Sequence, residues 1–70
     1  MAALPTYLYI DGDRVGRVVD FSVNHDRNIF EVVVRSGALG VSVVSVKRYM
    51  WKTTGEEIQL IVLETTGMLG

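Results

Sequence analysis

Apolar and polar residues alternate with a period of two along most of this chain, in short runs separated by turns rich in glycine, asparagine and aspartate. That is the pattern of half-buried strands. Thr6–Ile10 (TYLYI) is aromatic and β-branched and suits a first strand, with Pro5 just ahead of it, where a missing ladder donor is tolerated. Asp11-Gly12 supplies a two-residue hairpin turn, since both residue types accept positive φ. The second arm covers residues 13–23. Val15, Val19, Phe21 and Val23 share one parity and Arg14, Asp20 and Ser22 the other, while Arg17 and Val18 break the alternation beside Gly16. A glycine within a strand marks a bulge or a sharp bend, so the strand is expected to bend there.

The polar cluster 24–28 (NHDRN) reads as a connection built from Asx-type turns. Ile29–Arg35 is the next strand, with Phe30, Val32 and Val34 on one face and the apolar Ile29 and Val33 on the other. A glycine-containing turn at 36–40 leads into residues 41–46, where alternation slips at Val43-Val44 and predicts another bulge. Residues 47–52 continue as strand or as a single 3₁₀ turn. Residues 58–64 form the last strand, with Ile58, Leu60 and Val62 opposing Ile61 and Leu63. A tail, 65–70, carries Met68 and Leu69. No dozen residues show helical spacing free of glycine or proline. The fold class is all-β, a small five- to six-stranded antiparallel barrel or rolled sheet, in one domain spanning 1–70.

Composition narrows what such a barrel is for. With 70 residues the core is thin, and domains of this size often lean on disulfides, metals or oligomerisation. There is no cysteine, which removes disulfides, thiolate metal sites and a thiol nucleophile. Hydrophobic residues make up 49% and charged residues 21%, so self-association is the staple left over. Strands with two apolar faces need a second cover, from another part of the barrel wall or a neighbouring subunit. The expected interaction surface combines Ile29, Val33, Tyr49, Trp51 and Ile61, and the expected partner is a second copy or another protein.

Seven basic and eight acidic residues are interspersed, for a net charge of −1, so no global field favours a polyanion. The start of the chain lacks the basic and long apolar regions of a secretory signal. Apolar runs of three to four residues fall far short of the ~20 needed to span a bilayer as a helix. Membrane insertion is not expected, and the location expected is the cytoplasm or a protein assembly such as a virion.

Candidate chemistry is sparse. His25 is the only histidine and lies in a polar turn without the further ligands a zinc ion wants. Asp11 and Asp13 flank Gly12, but Val15 and Arg17 stand where a calcium loop would carry oxygen donors. Asp20 is expected to pair with Arg17 or Arg35 across neighbouring strands. Ser42 and Ser45 lack an adjacent base, and the glycines at 37 and 40 lack the strand-loop-helix setting of a phosphate loop. Neither catalytic residues nor a metal or cofactor site is expected, and the chain reads as a non-enzyme. One segment supports an alternative. Lys47, Arg48, Tyr49, Trp51 and Lys52 interleave cations with aromatics, as single-strand nucleic-acid binders do; the competing reading has Trp51 closing the core with the cations around it.

Gly12, Val15-Gly16, Val18 and Asp20, followed by residues 32–37 (VVVRSG) and 58–62 (IQLIV), resemble the PRC-barrel, the small β-barrel of photosynthetic reaction-centre H subunits and ribosome-maturation factors. The resemblance implies five or six strands and a role in docking proteins or RNA-protein particles, without catalysis. The same stretch is similar to β-rich phage tail-tube and related virion proteins, through its Gly-x-x-hydrophobic-Gly strand and the Asp-Phe-Ser-Val segment before a charged turn. That likeness implies a structural subunit assembled in rings or tubes. Neither family supplies a catalytic residue.

Overall fold

The computed structural model describes residues 3–37 and 40–66, which form five strands: β1 (Thr6–Ile10), β2 (Asp13–Asn24), β3 (Ile29–Arg35), β4 (Val41–Thr53) and β5 (Ile58–Thr65). They close into a barrel in chain order, so the expected all-β barrel of five to six strands is formed with five, and one of its pairings departs from the antiparallel arrangement expected. An up-and-down meander with an odd number of strands leaves its first and last strands pointing the same way. The closing seam is therefore parallel, with Leu8 opposite Leu60 and Ile10 opposite Val62, and the other four pairings are antiparallel.

Local chemistry sets the turns. Asp11 and Gly12 take φ of 53° and 83°, the paired positive values of a tight hairpin turn. In the β2–β3 connection the Asn24 side-chain oxygen accepts the Arg27 amide at 3.2 Å, and Asn28 takes the left-handed conformation that asparagine tolerates. Between β4 and β5 the Thr54 hydroxyl accepts the amides of Glu56 and Glu57 at 3.2 and 3.0 Å and donates to the Glu57 carbonyl at 3.1 Å.

β2 and β4 each change partners along their length. β2 pairs with β1 through residues 13–17 and with β3 through residues 17–24; β4 pairs with β3 through 41–46 and with β5 through 46–53. The bends this requires are made at bulges. Val15 is the extra residue opposite β1, Val19 opposite β3 and Lys47 opposite β5. Each resets the side-chain phase, and so Val18 packs on the core while Val19 is exposed, contrary to the parity read from the sequence. The bend at Gly16 is real and has a steric cause. A Cβ there would lie 2.5 Å from the Arg35 carbonyl oxygen and 2.7 Å from Val34 Cγ1, so β2 crosses the end of β3 too closely for any side chain. The Ser36 hydroxyl secures this crossing by donating to the Val15 carbonyl at 3.2 Å.

No bulge occurs at Val43-Val44, where one was expected. The β3–β4 register runs unbroken from Phe30 opposite Val46 to Arg35 opposite Val41. The two adjacent valines are apolar because Val44 packs on the core and Val43 stands outside it. Residues 47–52 are strand.

Leu8, Val32, Val34, Val46, Leu60 and Val62 form the buried core, ringed by Ile10, Val15, Val18, Phe21, Phe30, Val44 and Tyr49. Aromatic rings fill part of the interior. Phe30 meets Tyr49 edge-on at 4.7 Å, Phe21 stacks on Phe30 at 5.6 Å, and Trp51 lies 5.9 Å from Tyr49 with about half its surface exposed. The ring centroids lie 4.7 to 6.0 Å apart, so the four rings pack on one another. Met68 and Leu69 fall outside the described residues.

Candidate docking surface

Residues paired across strands point to the same side of a sheet, so the register fixes which side chains share the outer wall. On the outside of β2, β3 and β4 three rows lie side by side: Ser22–Glu31–Ser45, then Asp20–Val33–Val43, then Arg17–Arg35–Val41. Val33 is half-buried at the centre, whereas Val43 and Val41 are 60% and 56% exposed and the bulged Val19 is 47% exposed. The result is an aliphatic patch on a sheet face, with the Glu31 carboxylate at one end, Asp20 beside Val33 in the middle row and the Arg17 and Arg35 guanidinium groups at the other end.

Arg17 and Arg35 stand directly opposite each other, and both are exposed. Like charges in that position are destabilising. Neither forms an ion pair among the described residues, where the pairs are Arg14–Glu57 and Lys47–Glu64. The expected pairing of Asp20 with one of these arginines is not formed. Asp20 sits opposite Val33 and its carboxylate accepts the Phe21 amide at 2.8 Å, an interaction made available by the bulge at Val19.

A second outer cluster joins β1 and β2 to the β4–β5 turn. The Glu57 carboxylate accepts the Tyr9 hydroxyl at 2.7 Å, the Gln59 amide at 3.0 Å and the Arg14 guanidinium at 3.0 Å; Arg14 Nε also donates to the Tyr9 hydroxyl at 3.2 Å, and its guanidinium lies 4.1 Å from the centre of the Tyr7 ring. Hydrogen bonds from Gln59 and Tyr9, with the charge of Arg14, hold the Glu57 carboxyl below its ordinary value; the bond to Tyr9 and the charge of Glu57 raise Arg14. Both oxygens of the Glu57 carboxylate are engaged within the cluster, which clasps β1 and β2 to the β4–β5 turn. Sequence reading missed it, because Glu57 lies 48 residues from Tyr9 and 43 from Arg14.

The residues singled out from sequence are dispersed. Ile29, Val33 and Ile61 are half-buried, with Val33 on the aliphatic patch and Ile61 on the other side of the barrel between Met50 and Tyr9. Tyr49 packs on the core, and Trp51 shares its ring cluster. Lys47 lies 3.9 Å from Glu64, Arg48 is opposite Glu64, and Lys52 is exposed opposite Gln59. Lys47, Arg48, Tyr49, Trp51 and Lys52 are thus divided between the inside and the outside of the barrel. His25 is exposed in its turn. Among the described residues no group of three or more His, Asp or Glu side chains is placed to hold a metal ion, and no helix is long and apolar enough to cross a membrane.

Comparison with known proteins finds no matching family model, no matching curated protein and no matching solved structure. The residues that resemble the PRC-barrel each have a structural task in this chain: Gly12 makes a turn, Val15 is a bulge, Gly16 a close crossing, Val18 packs on the core and Asp20 braces the next bulge. What they specify is the bent second strand of a small barrel.

Proposed function

We propose that this protein is a non-catalytic docking module that associates with a second copy of itself through the outer face of β2, β3 and β4. The carrying observation is the set of exposed valines at 19, 41 and 43 around the half-buried Val33. Solitary exposed aliphatic residues are ordinary, whereas a contiguous set on a sheet face marks an interaction surface. Complete burial of a valine contributes roughly 1.5 kcal/mol or more, which matters beside the modest stability of a small domain. Docking without chemistry is the role the PRC-barrel resemblance implies, and a virion subunit is the narrower form of the same reading, in which copies continue into a ring or tube.

Sedimentation velocity across a wide concentration range tests this. The wild type should shift toward dimer as concentration rises, and Val43→Asp should stay monomeric while keeping its β-type circular dichroism, since Val43 points away from the core. A wild type that remains a compact monomer throughout would end the self-association reading and the virion form with it.

A further inference from the structure

The outer face of β3 reads Glu31, Val33, Arg35 along the strand: an acid, an apolar centre and a base, two residues apart and on one side of the sheet. On β2 the neighbours of these residues are Ser22, Asp20 and Arg17, so the basic end is doubled and has no carboxylate partner among the described residues. On β4 they are Ser45, Val43 and Val41. Both arginines are exposed and directly opposed, an arrangement that costs stability in the isolated barrel. The Glu57 carboxylate does not relieve it, being engaged by Tyr9, Arg14 and Gln59.

We infer that this face is self-complementary and that the second copy docks on it with its strands reversed, about a twofold axis that crosses β3 at Val33. This inference rests on the docking reading above and specifies its geometry. Two sheets packed face to face by a twofold must be related by an axis lying between them. An axis parallel to the strands along β3 would place Arg35 over its own counterpart and Glu31 over its own, two like-charge contacts with no opposite-charge contact to offset them. An axis perpendicular to the strands reverses the second copy. Val33 then meets Val33, Val43 meets Val43, and each Glu31 faces Arg35 of the second copy. Asp20 lies in the axial row and meets Asp20 of the second copy, while Arg17 faces Ser22 of the second copy and has that copy's Asp20 two residues away along the strand. Arg35 thereby gains a facing carboxylate, the two Glu31–Arg35 contacts outweigh the single Asp20–Asp20 contact, and orientation is set by that balance of charge while contact area is aliphatic. Three strands of seven residues offer a face of about 14 by 23 Å, well below the ~800 Å² per partner of a standard interface. The dimer is accordingly weak and exchanges readily.

Charge exchange reads this geometry directly. Glu31→Arg and Arg35→Glu should each weaken self-association roughly 10- to 100-fold, because two opposite-charge contacts become two like-charge contacts. Mixing the two variants should restore association as a heterodimer, one chain carrying two bases and the other two acids. The doubly exchanged chain, E31R with R35E, should dimerise like the wild type. Sedimentation of each species, with circular dichroism as the folding control, gives the answer. If the wild type dimerises but the single exchanges leave it unchanged, or the mixture fails to associate, the reversed arrangement is wrong while docking through the valine face survives. If the wild type is monomeric throughout, both are wrong. Binding of a labelled single-stranded oligonucleotide that is lost in Arg17→Ala with Arg35→Ala, with no dimer present, would assign the arginines to phosphate instead and overturn the inference.

Discussion

Glycine 16 shows what one residue decides. Its lack of a side chain lets β2 pass within contact of the Arg35 carbonyl, next to the bulge at Val15 where β2 begins to change partners. This was legible in the sequence, because a glycine beside a broken alternation marks a bend or a close approach of two backbones. The Asp11-Gly12 turn was legible for the same local reason. Glu57 was not, since its three side-chain partners are assembled only by barrel closure and two of them are more than forty residues away. Its carboxyl is nonetheless the titrating group with a consequence for stability. Hydrogen bonds from Gln59 and Tyr9 lower its value in the folded state from the ordinary 4.5. A lowered folded value means that the contribution is fully present above the unfolded value and is lost as pH falls through the folded one. Glu57→Gln should therefore melt below the wild type at neutral pH, and the gap should narrow once pH drops below about 4.5. Thermal scans of both proteins from pH 7 to pH 3 check this; a gap that is unchanged at pH 3 would mean that the Glu57 charge contributes nothing to the clasp.

Elements were read well where a strand keeps one phase and poorly where it changes partners. β3 holds its alternation throughout and β5 holds it as far as Val62, before the irregularity at Leu63, and Val32, Val34, Leu60 and Val62 are buried as their parity implies. β2 and β4 each serve two neighbours, so bulges at Val15, Val19 and Lys47 reset the faces in ways that alternation alone does not locate. The adjacent Val43 and Val44 imitate such a reset, because an apolar outer face and an apolar core produce the same letters as a slipped strand. The difference between faces has a measurable size. Leu60 is fully buried between Leu8 and Trp51 in the register, whereas Leu63, the unpaired residue on β5, is 52% exposed. Leu60→Ala should cost about 2–5 kcal/mol in urea unfolding, and Leu63→Ala should remain within about 0.5 kcal/mol of the wild type. Equal effects would mean that β5 presents its faces differently.

At the scale of the molecule, a chain of 70 residues closes a barrel around a core of six buried side chains among the described residues and leaves a set of valines outside it. The sequence predicted this imbalance from composition, and distributed it over Ile29, Val33, Tyr49, Trp51 and Ile61. Closure moves Tyr49 to the core and brings in Val41, Val43 and Val19, because only the register tells which of several valines share a wall. Folding and association are then coupled. A dimer made only from folded barrels draws the folding equilibrium toward the native state as concentration rises. For a domain of this size, each tenfold increase above the dissociation constant should raise Tm by roughly 3–6 °C. The weakness expected of so small a face places the rise toward the upper part of a range from about 10 μM to 1 mM. Added salt should flatten the dependence by screening the charged ends of the face, while Val43→Asp should remove it at every salt concentration. Differential scanning calorimetry over that range provides the measurement. A Tm that stays constant with concentration in the wild type would uncouple folding from association and leave the exposed valines to a different protein partner.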